Sequence, residues 1–554
     1  VDGIRFLLDG RLVCVEDLPR TMTVLEYLRE VAHRTGTKEG CAEGDCGACT
    51  VVLGELDATT GRVEYRAVNS CIRFLPTIDG HELVTVESLS APEEAPHPVQ
   101  QSMMDHHASQ CGFCTPGFVM SLFALYLREP APDRERVVEA LSGNLCRCTG
   151  YRPIIDAGVQ MGRYPTPPRW GREACTDTTR CESLRAIRRE RSLRLPGFFA
   201  PRTVDELAAE LAKEPRSLVL AGGTDVGLWV TKQLRELPPI VYVGAVEELK
   251  QIRRHGDVME IGAAVSLTDG WRELVSAYPT LDEMAQRFGS PPVRNSGTLC
   301  GNLANGSPIG DSLPVLIALG AELVLCRGAA VSAASVPGSA ANASFASSAH
   351  PANTAASAPG GDSASNASFA SAAHAASTAA SVPGAAATQP SLAARVRTIP
   401  LEKFYLGYQR TALDPGEFVT AVRVPTRVPG WIAAYKLSKR FDQDISSLAV
   451  ALAVQVEAGR VTSARIAFGG MAAIAMRAAA TERALIGAPW NESSIDAAAE
   501  KLAEDFKPLT DMRASSAYRL QSAGNLLRRF YFEHSGPAAE PTRTAAAAAA
   551  LATV

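Results

Sequence analysis

The sequence predicts a multidomain α+β chain, and three observations carry that reading. Its 554 residues are 46% hydrophobic, which at roughly 100–200 residues per domain supplies cores for about three to five domains. Eight of its 13 cysteines gather into two groups of four within the first 150 residues, and the apolar pattern between those groups turns from strand-like to helix-like. Two glycine-rich turns come later, in segments where short apolar strands alternate with helical runs. The 55 basic against 59 acidic side chains leave a formal charge of -4, so no chain-wide positive field draws nucleic acid or an anionic membrane. No run approaches the roughly 18–20 apolar residues of a membrane span. The opening Val1, Asp2 and Gly3 carry neither the basic nor the apolar region of a signal peptide. The expectation is a cytoplasmic chain whose cysteines serve metal or redox chemistry rather than disulfides.

The first element is a strand-turn-strand, Ile4 to Leu8 and Leu12 to Val15 around Asp9 and Gly10, and Val24 to Val31 repeats apolar residues at helical spacing. Cys41, Cys46 and Cys49 then read C-x4-C-x2-C, with Cys71 following 22 residues on, the plant-type [2Fe-2S] spacing. The small residues of Gly40 to Thr50, G-C-A-E-G-D-C-G-A-C-T, let the backbone wrap a cluster and aim amide N–H groups at its sulfurs. A β-grasp [2Fe-2S] ferredoxin domain is expected over residues 1–85. A four-thiolate zinc site is the alternative, but zinc favours paired short knuckles.

The second group, Cys111 and Cys114 then Cys146 and Cys148, reads C-x2-C, 31 residues, C-x-C. Pro116 stands where a helix begins, and Phe118, Leu122, Leu125 and Tyr126 share one face after it. Val99 to Met104, Val137 to Leu141 and Ile154 to Val159 add three short helices. An all-α domain over 86–165 is expected, with two hairpin tips closing on a second [2Fe-2S] cluster. Read alone this pattern also suits zinc; its place directly after the first module decides for iron. Cys14, Cys175, Cys181, Cys300 and Cys326 receive no ligand role.

Residues 166–196 mix Pro, Arg, Glu and Ser and read as a linker. From 197, the strand Ser217 to Leu220 runs into A-G-G-T-D-V-G-L, Ala221 to Leu228, a turn able to offer successive N–H groups to a phosphate, though weak evidence by itself. Residues 328–394 change to Ala, Ser, Asn, Pro and Gly, with Asn342 to His350 recurring as Asn366 to His374. Two copies with one large apolar residue each cannot bury a core, so this reads as a disordered insertion dispensable for cofactor binding. Strands and helices resume over 401–535, including strands Phe418 to Val424 and Leu448 to Val456, and an alanine-rich disordered tail occupies 536–554.

At these motifs, together with Q-C-G-F-C-T-P-G-F (Gln110 to Phe118), L-C-R-C-T-G-Y (Leu145 to Tyr151) and N-G-S-P-I-G-D-S (Asn305 to Ser312), the sequence resembles the molybdenum hydroxylase family, most closely the small electron-transferring subunits of its bacterial xanthine dehydrogenases. The resemblance implies an α+β FAD-binding domain of the molybdenum hydroxylase flavoprotein type over 197–400 and an α+β C-terminal flavoprotein domain over 401–535. It assigns the flavin's diphosphate and ribityl chain to Val219, Leu220, Ala221, Gly222, Gly223, Thr224, Asp225 and Val226. Thr298, Gly301, Asn302 and Asp311 join them at the second loop, with Phe288 at the isoalloxazine edge and Lys436 near the flavin. One position departs from the family pattern G-T-L-G-G-N, because Cys300 replaces a glycine; if that site needs a positive φ or close approach to the diphosphate, a Cβ there modestly weakens FAD binding.

Each cluster passes one electron whereas a nicotinamide takes hydride, so a flavin belongs between them. The implied order is a molybdenum cofactor on a partner large subunit, the helical-domain cluster, the ferredoxin-like cluster, FAD and NAD+. The implied reaction is oxidation of hypoxanthine or xanthine to urate on that partner. The same relay serves an aldehyde or N-heterocycle hydroxylase, and a zinc-stapled, non-catalytic binding protein is the remote alternative.

Overall fold

The computed structural model describes residues 3–57, 59–90, 93–327 and 396–535; the insertion at 328–394 and the tail at 536–554 lie outside them. The multidomain α+β architecture expected from the sequence is present. Among the described residues no helix is long and apolar enough to cross a membrane.

The N-terminal sheet has five strands in the order Arg11–Val15, Ile4–Leu8, Glu82–Val84, Thr50–Leu56, Val63–Asn69. Asp9 and Gly10 both take positive φ in the first turn, 55° and 75°, as a tight hairpin requires. Period-two alternation splits the sheet between two cores. Val51, Leu53, Val68 and Leu83 pack with Val24 and Leu28 of the helical segment, which runs as α-helix over Val24–Glu26 and then as a π-helical turn over Tyr27–Val31. Val52, Tyr65, Ala67 and Val84 pack instead with Phe118, Leu122 and Phe123. Those three belong to Thr115–Arg128, the longest of four helices in the second region; the others are Pro98–Asp105, Arg134–Leu141 and Arg152–Gln160. The two modules thus share one core.

The segment read as a linker is more ordered than its composition suggests. It holds the helix Thr178–Ile187, whose buried Cys181, Leu184 and Ile187 enter the same core, and Trp170 is fully buried with its indole N–H donating to the Ser88 carbonyl at 2.9 Å. Three apolar residues spaced by three among arginines and glutamates are too narrow a stripe to see in sequence.

The flavin-type region holds two sheets. One is ordered Leu193–Leu195, Phe198–Ala200, Ile240–Tyr242, Leu218–Leu220, with the last three parallel; the other is antiparallel, ordered Ile252–His255, Val258–Gly262, Glu417–Pro425, Glu322–Arg327, Val396–Pro400. One expectation is corrected. Glu417–Pro425, expected in the C-terminal domain, is the central strand of the second flavin sheet, because its partners lie far away in sequence and alternation alone does not name them. The ends flanking the insertion pair directly, Cys326 opposite Val396. The C-terminal sheet is Trp431–Leu437, Leu448–Glu457, Arg460–Gly469 and Met476–Arg477. Its large residues, Tyr435, Leu448, Val450 and Phe468, face its own helices, while Ala434, Ala449, Ala451 and Ala467 face the flavin region. The last helix is Ser516–Glu533, capped by the Ser515 hydroxyl.

Candidate functional site

The first cysteine loop follows the helical turn and enters strand Thr50–Leu56. Ala42, Gly44 and Gly47 take positive φ, which curls the backbone around Cys41 so that the N–H groups of Glu43, Asp45 and Cys46 reach its sulfur at 3.4, 3.4 and 3.3 Å. Cys71, on the loop after strand Val63–Asn69, and Cys49 are buried with Leu25 and Ile72. Cys41 lies within hydrogen-bonding reach of Cys46 and Cys71, and Cys49 of Cys71. These contacts hold Cys41 and Cys49 below the usual thiol range and Cys46 and Cys71 above it. The second quartet comes from two hairpin tips: Cys114 meets Cys146, and Cys111 meets Cys148. Burial pushes Cys114 up to about 12, while Cys111 and Cys148 stand exposed. Burial opposes ionisation of Cys146, yet the Thr149 hydroxyl at 3.1 Å and N–H at 3.4 Å hold it below the usual range.

Among the described residues, no three His, Cys, Asp or Glu side chains converge as a single-ion site requires. In the second quartet the sulfurs meet as two pairs, and in the first they run from Cys46 to Cys41 to Cys71 to Cys49. A tetrahedral zinc site needs four donors on one ion, whereas a [2Fe-2S] cluster spreads four thiolates over two irons, so the donor sets suit a binuclear cluster.

The two loops touch. A Cβ on Gly47 would overlap the Gly143 carbonyl oxygen, and one on Gly117 the Gly47 carbonyl oxygen. The Leu145 N–H donates to the Cys46 carbonyl at 3.0 Å, which joins a residue of the first quartet to the neighbour of Cys146. On its other side the first loop meets the flavin-type region: Ile72, next to Cys71, has its carbonyl 2.5 Å from where a Gly227 Cβ would stand. The Thr231 hydroxyl donates to the Ala42 carbonyl at 2.8 Å, and Arg66 grips Asp269 through two bonds of 2.7 and 3.1 Å.

Strand Leu218–Leu220 delivers half-exposed Val219, buried Leu220 and then Ala221, Gly222, Gly223 and Thr224 to helix Val226–Thr231, with Asp225 at its N-cap and Gly223 at φ 74°. Gly222 abuts the Ser296 carbonyl of the second loop. Thr298 caps helix Leu299–Ala304 by accepting from Gly301 N–H at 3.0 Å, and Phe288 is buried beside Trp271, ring centroids 5.9 Å apart. Lys436 is no solvated charge. It is 4% exposed and donates to Asp311 at 2.8 Å and to the Arg287 carbonyl at 2.9 Å; Arg287 returns a bond to the Lys436 carbonyl, and Ser446 donates to the other Asp311 oxygen. Arg440, its companion in sequence, is exposed.

The Asn302 side-chain oxygen and the Ser312 hydroxyl are shut from solvent without a protein partner. A buried polar atom left so costs roughly 1–3 kcal/mol, and a polar ligand beside Asp311 relieves it, so the flavin residues fit their group. A cleft of about 1180 Å³ reaches Ala221, Gly222 and Thr298 but not Asn302, Asp311 or Lys436. Cys300 departs from its expected role: it takes no positive φ, lies inside helix Leu299–Ala304, and buries its sulfur in the core, 3.7 Å from the Ile261 carbonyl. The strain argument against flavin binding therefore fails.

Three residues escaped the sequence reading. Arg294, 7% exposed, donates to the carbonyls of Gln286, Phe288 and Gly289 and fixes the Phe288 turn. Arg287 and Asn144 are buried likewise. Asn144 adjoins the motif Leu145 to Tyr151 and Arg287 adjoins Phe288, but a lone Arg or Asn carries no spacing signal.

Four family models match in order: 2Fe-2S iron-sulfur cluster binding domain over 6–74, [2Fe-2S] binding domain over 85–159, FAD binding domain in molybdopterin dehydrogenase over 191–337, and CO dehydrogenase flavoprotein C-terminal domain over 433–534. The chain is 30% identical to a xanthine dehydrogenase of Emericella nidulans across 96% of itself and 38% of that protein. It is 27% identical to xanthine dehydrogenase 2 of Arabidopsis thaliana across 91% and 37%. It thus spans less than two fifths of the length of these relatives. Among solved structures it is similar to the carbon monoxide dehydrogenase of Hydrogenophaga pseudoflava, with 25% identity over 61% of this chain and 96% of that one and a TM-score of 0.46. It is also similar to quinoline 2-oxidoreductase of Pseudomonas putida 86, with 21% identity over 62% and 98% and a TM-score of 0.45. Two iron-sulfur modules followed by a molybdopterin-dehydrogenase flavin domain and a CO dehydrogenase flavoprotein C-terminal domain, matched along nearly the whole chain, make it homologous to the xanthine dehydrogenases of the molybdenum hydroxylase family.

Proposed function

We propose that this chain relays electrons from a molybdenum centre on a partner polypeptide, through a cluster on Cys111, Cys114, Cys146 and Cys148 and one on Cys41, Cys46, Cys49 and Cys71, to FAD and then NAD+. On this reading it is the electron-transfer part of a xanthine dehydrogenase that oxidises hypoxanthine and xanthine to urate. One observation carries the relay: Leu145, next to Cys146 of the outer quartet, bonds the Cys46 carbonyl, Cys46 reaches Cys71 through Cys41, and Ile72, next to Cys71, stands against Gly227 at the flavin loop.

FAD, when bound, turns single electrons into hydride for a nicotinamide. The chain's own residues hold it: the 221–225 turn offers backbone N–H groups to the diphosphate, and Asn302 and Ser312 satisfy themselves on the ligand. The Lys436 and Asp311 pair keeps both charges fixed behind the ring. The exposed rim of the second quartet, with Phe113 and Leu145 at 47% and 38% exposure, is the face for the partner.

The test is coexpression with a molybdopterin-binding large polypeptide and an assay of xanthine-dependent NAD+ reduction. Iron and sulfide near four each per chain, bound flavin and purine-driven turnover support the proposal. Turnover with aldehydes or N-heterocycles but not purines moves the substrate and keeps the relay; zinc in place of iron overturns both.

A further inference from the structure

We propose that Asn144 is the positioning residue that sets the spacing of the two cluster loops, by holding the Cys46 carbonyl against the Leu145 N–H. The inference rests on the reading of the two quartets as cluster ligands. Asn144 is 3% exposed and sits one residue before Leu145. Its backbone N–H makes a local bond, to Leu141 at 2.9 Å, but its side chain leaves the hairpin. The amide nitrogen donates to the Gly47 carbonyl at 3.1 Å and lies 3.4 Å from the Thr50 hydroxyl, which itself donates to that carbonyl at 2.7 Å. The amide oxygen accepts from the Ser121 hydroxyl at 2.6 Å, from helix Thr115–Arg128. One side chain must therefore donate toward the first loop and accept from the second domain at the same time.

That requirement selects asparagine. Aspartate cannot donate to Gly47, and alanine leaves the buried Ser121 hydroxyl without its acceptor and removes the one donor that reaches the Gly47 carbonyl from outside the first loop, where the Thr50 N–H and hydroxyl remain. The contact lies where the backbones already approach as closely as glycine permits, at Gly47, Gly117 and Gly143. Gly143 also abuts Ser290, two residues from Phe288, so the tie meets all three modules at one point. Cys46 and Cys49 flank Gly47, and Cys146 follows Leu145. A shift of this tie changes the distance between ligands of different clusters, on which electron tunnelling depends steeply.

The test compares Asn144→Ala and Asn144→Asp with Ser121→Ala in the full chain. Hydrogen exchange of the Leu145 amide should quicken about tenfold in both Asn144 variants, the scale of one buried hydrogen bond, and remain near wild type in Ser121→Ala. With iron content unchanged, the dipolar splitting between the two reduced clusters in electron paramagnetic resonance should shift in the Asn144 variants alone. Unchanged Leu145 protection and unchanged splitting in both Asn144 variants, with both clusters loaded, would overturn the inference. A wild type without iron and sulfide would instead overturn the reading of the quartets, whereas the Leu145 exchange still reports whether Asn144 holds the two loops.

Discussion

The two cysteine quartets place the same four thiols in opposite surroundings. Cys49 and Cys71 are 1% and 2% exposed, under the flavin-side helix, whereas Cys111 and Cys148 face solvent. The first loop aims three backbone N–H groups at Cys41; the second offers Cys146 the N–H groups of Thr149 and Cys148 together with the Thr149 hydroxyl. Hydrogen bonds to sulfur and solvent exposure both set a cluster's potential, so two centres of one composition acquire different properties from their loops.

The sharpest way to break this contrast is to remove one ligand from each quartet. Cys71→Ser should lower iron from about four to about two atoms per chain and loosen the flavin, because Cys71 packs with Ile72 beneath Leu228. Cys148→Ser should halve iron while flavin stays. Iron analysis with flavin absorbance reads both, and equal flavin loss in the two would end the asymmetry. Next in size, Lys436→Met leaves the Asp311 carboxylate buried and unpaired, a cost of about 3–5 kcal/mol, seen in denaturant unfolding and as faster flavin release with both clusters retained.

A third prediction concerns the helical side alone. His97 caps helix Pro98–Asp105 from full burial, which depresses its imidazole to about 4 from 6.5. Between those values the unfolded chain binds the extra proton, so stability declines as pH falls from 6.5 towards 4, by up to about 3 kcal/mol. Unfolding measured across that window should show the slope in wild type and a shallower one in His97→Asn, which keeps a capping acceptor. Smallest is Cys300→Ala: about 1 kcal/mol of stability from a lost buried sulfur, with flavin retention during dialysis unchanged. Retention that improves in Cys300→Gly, which alone removes the Cβ, would restore the strain argument.

Local chemistry explains what could be read in advance. Ligand spacing, the turn at Asp9 and Gly10, and the helical stripe after Pro116 are written within a few residues, so both iron-sulfur modules and the glycine turn were visible. Long-range pairing was not. Strand Glu417–Pro425 finds its neighbours across the insertion. Helix Thr178–Ile187 buries too few residues to show a period. The burial of Lys436 is not written around it in sequence, because it depends on Asp311, 125 positions away.

The hairpin formed by Glu322–Arg327 and Val396–Pro400 makes the flavin sheet a port. Cys326 and Val396 stand opposite each other, so the chain leaves and re-enters the sheet at one place. Closing a flexible loop grows costlier by only about 0.6 kcal/mol for each doubling of its length. Length at this point is nearly free to drift by duplication, and a reporter or a whole domain grafted there should leave the redox machinery where it is.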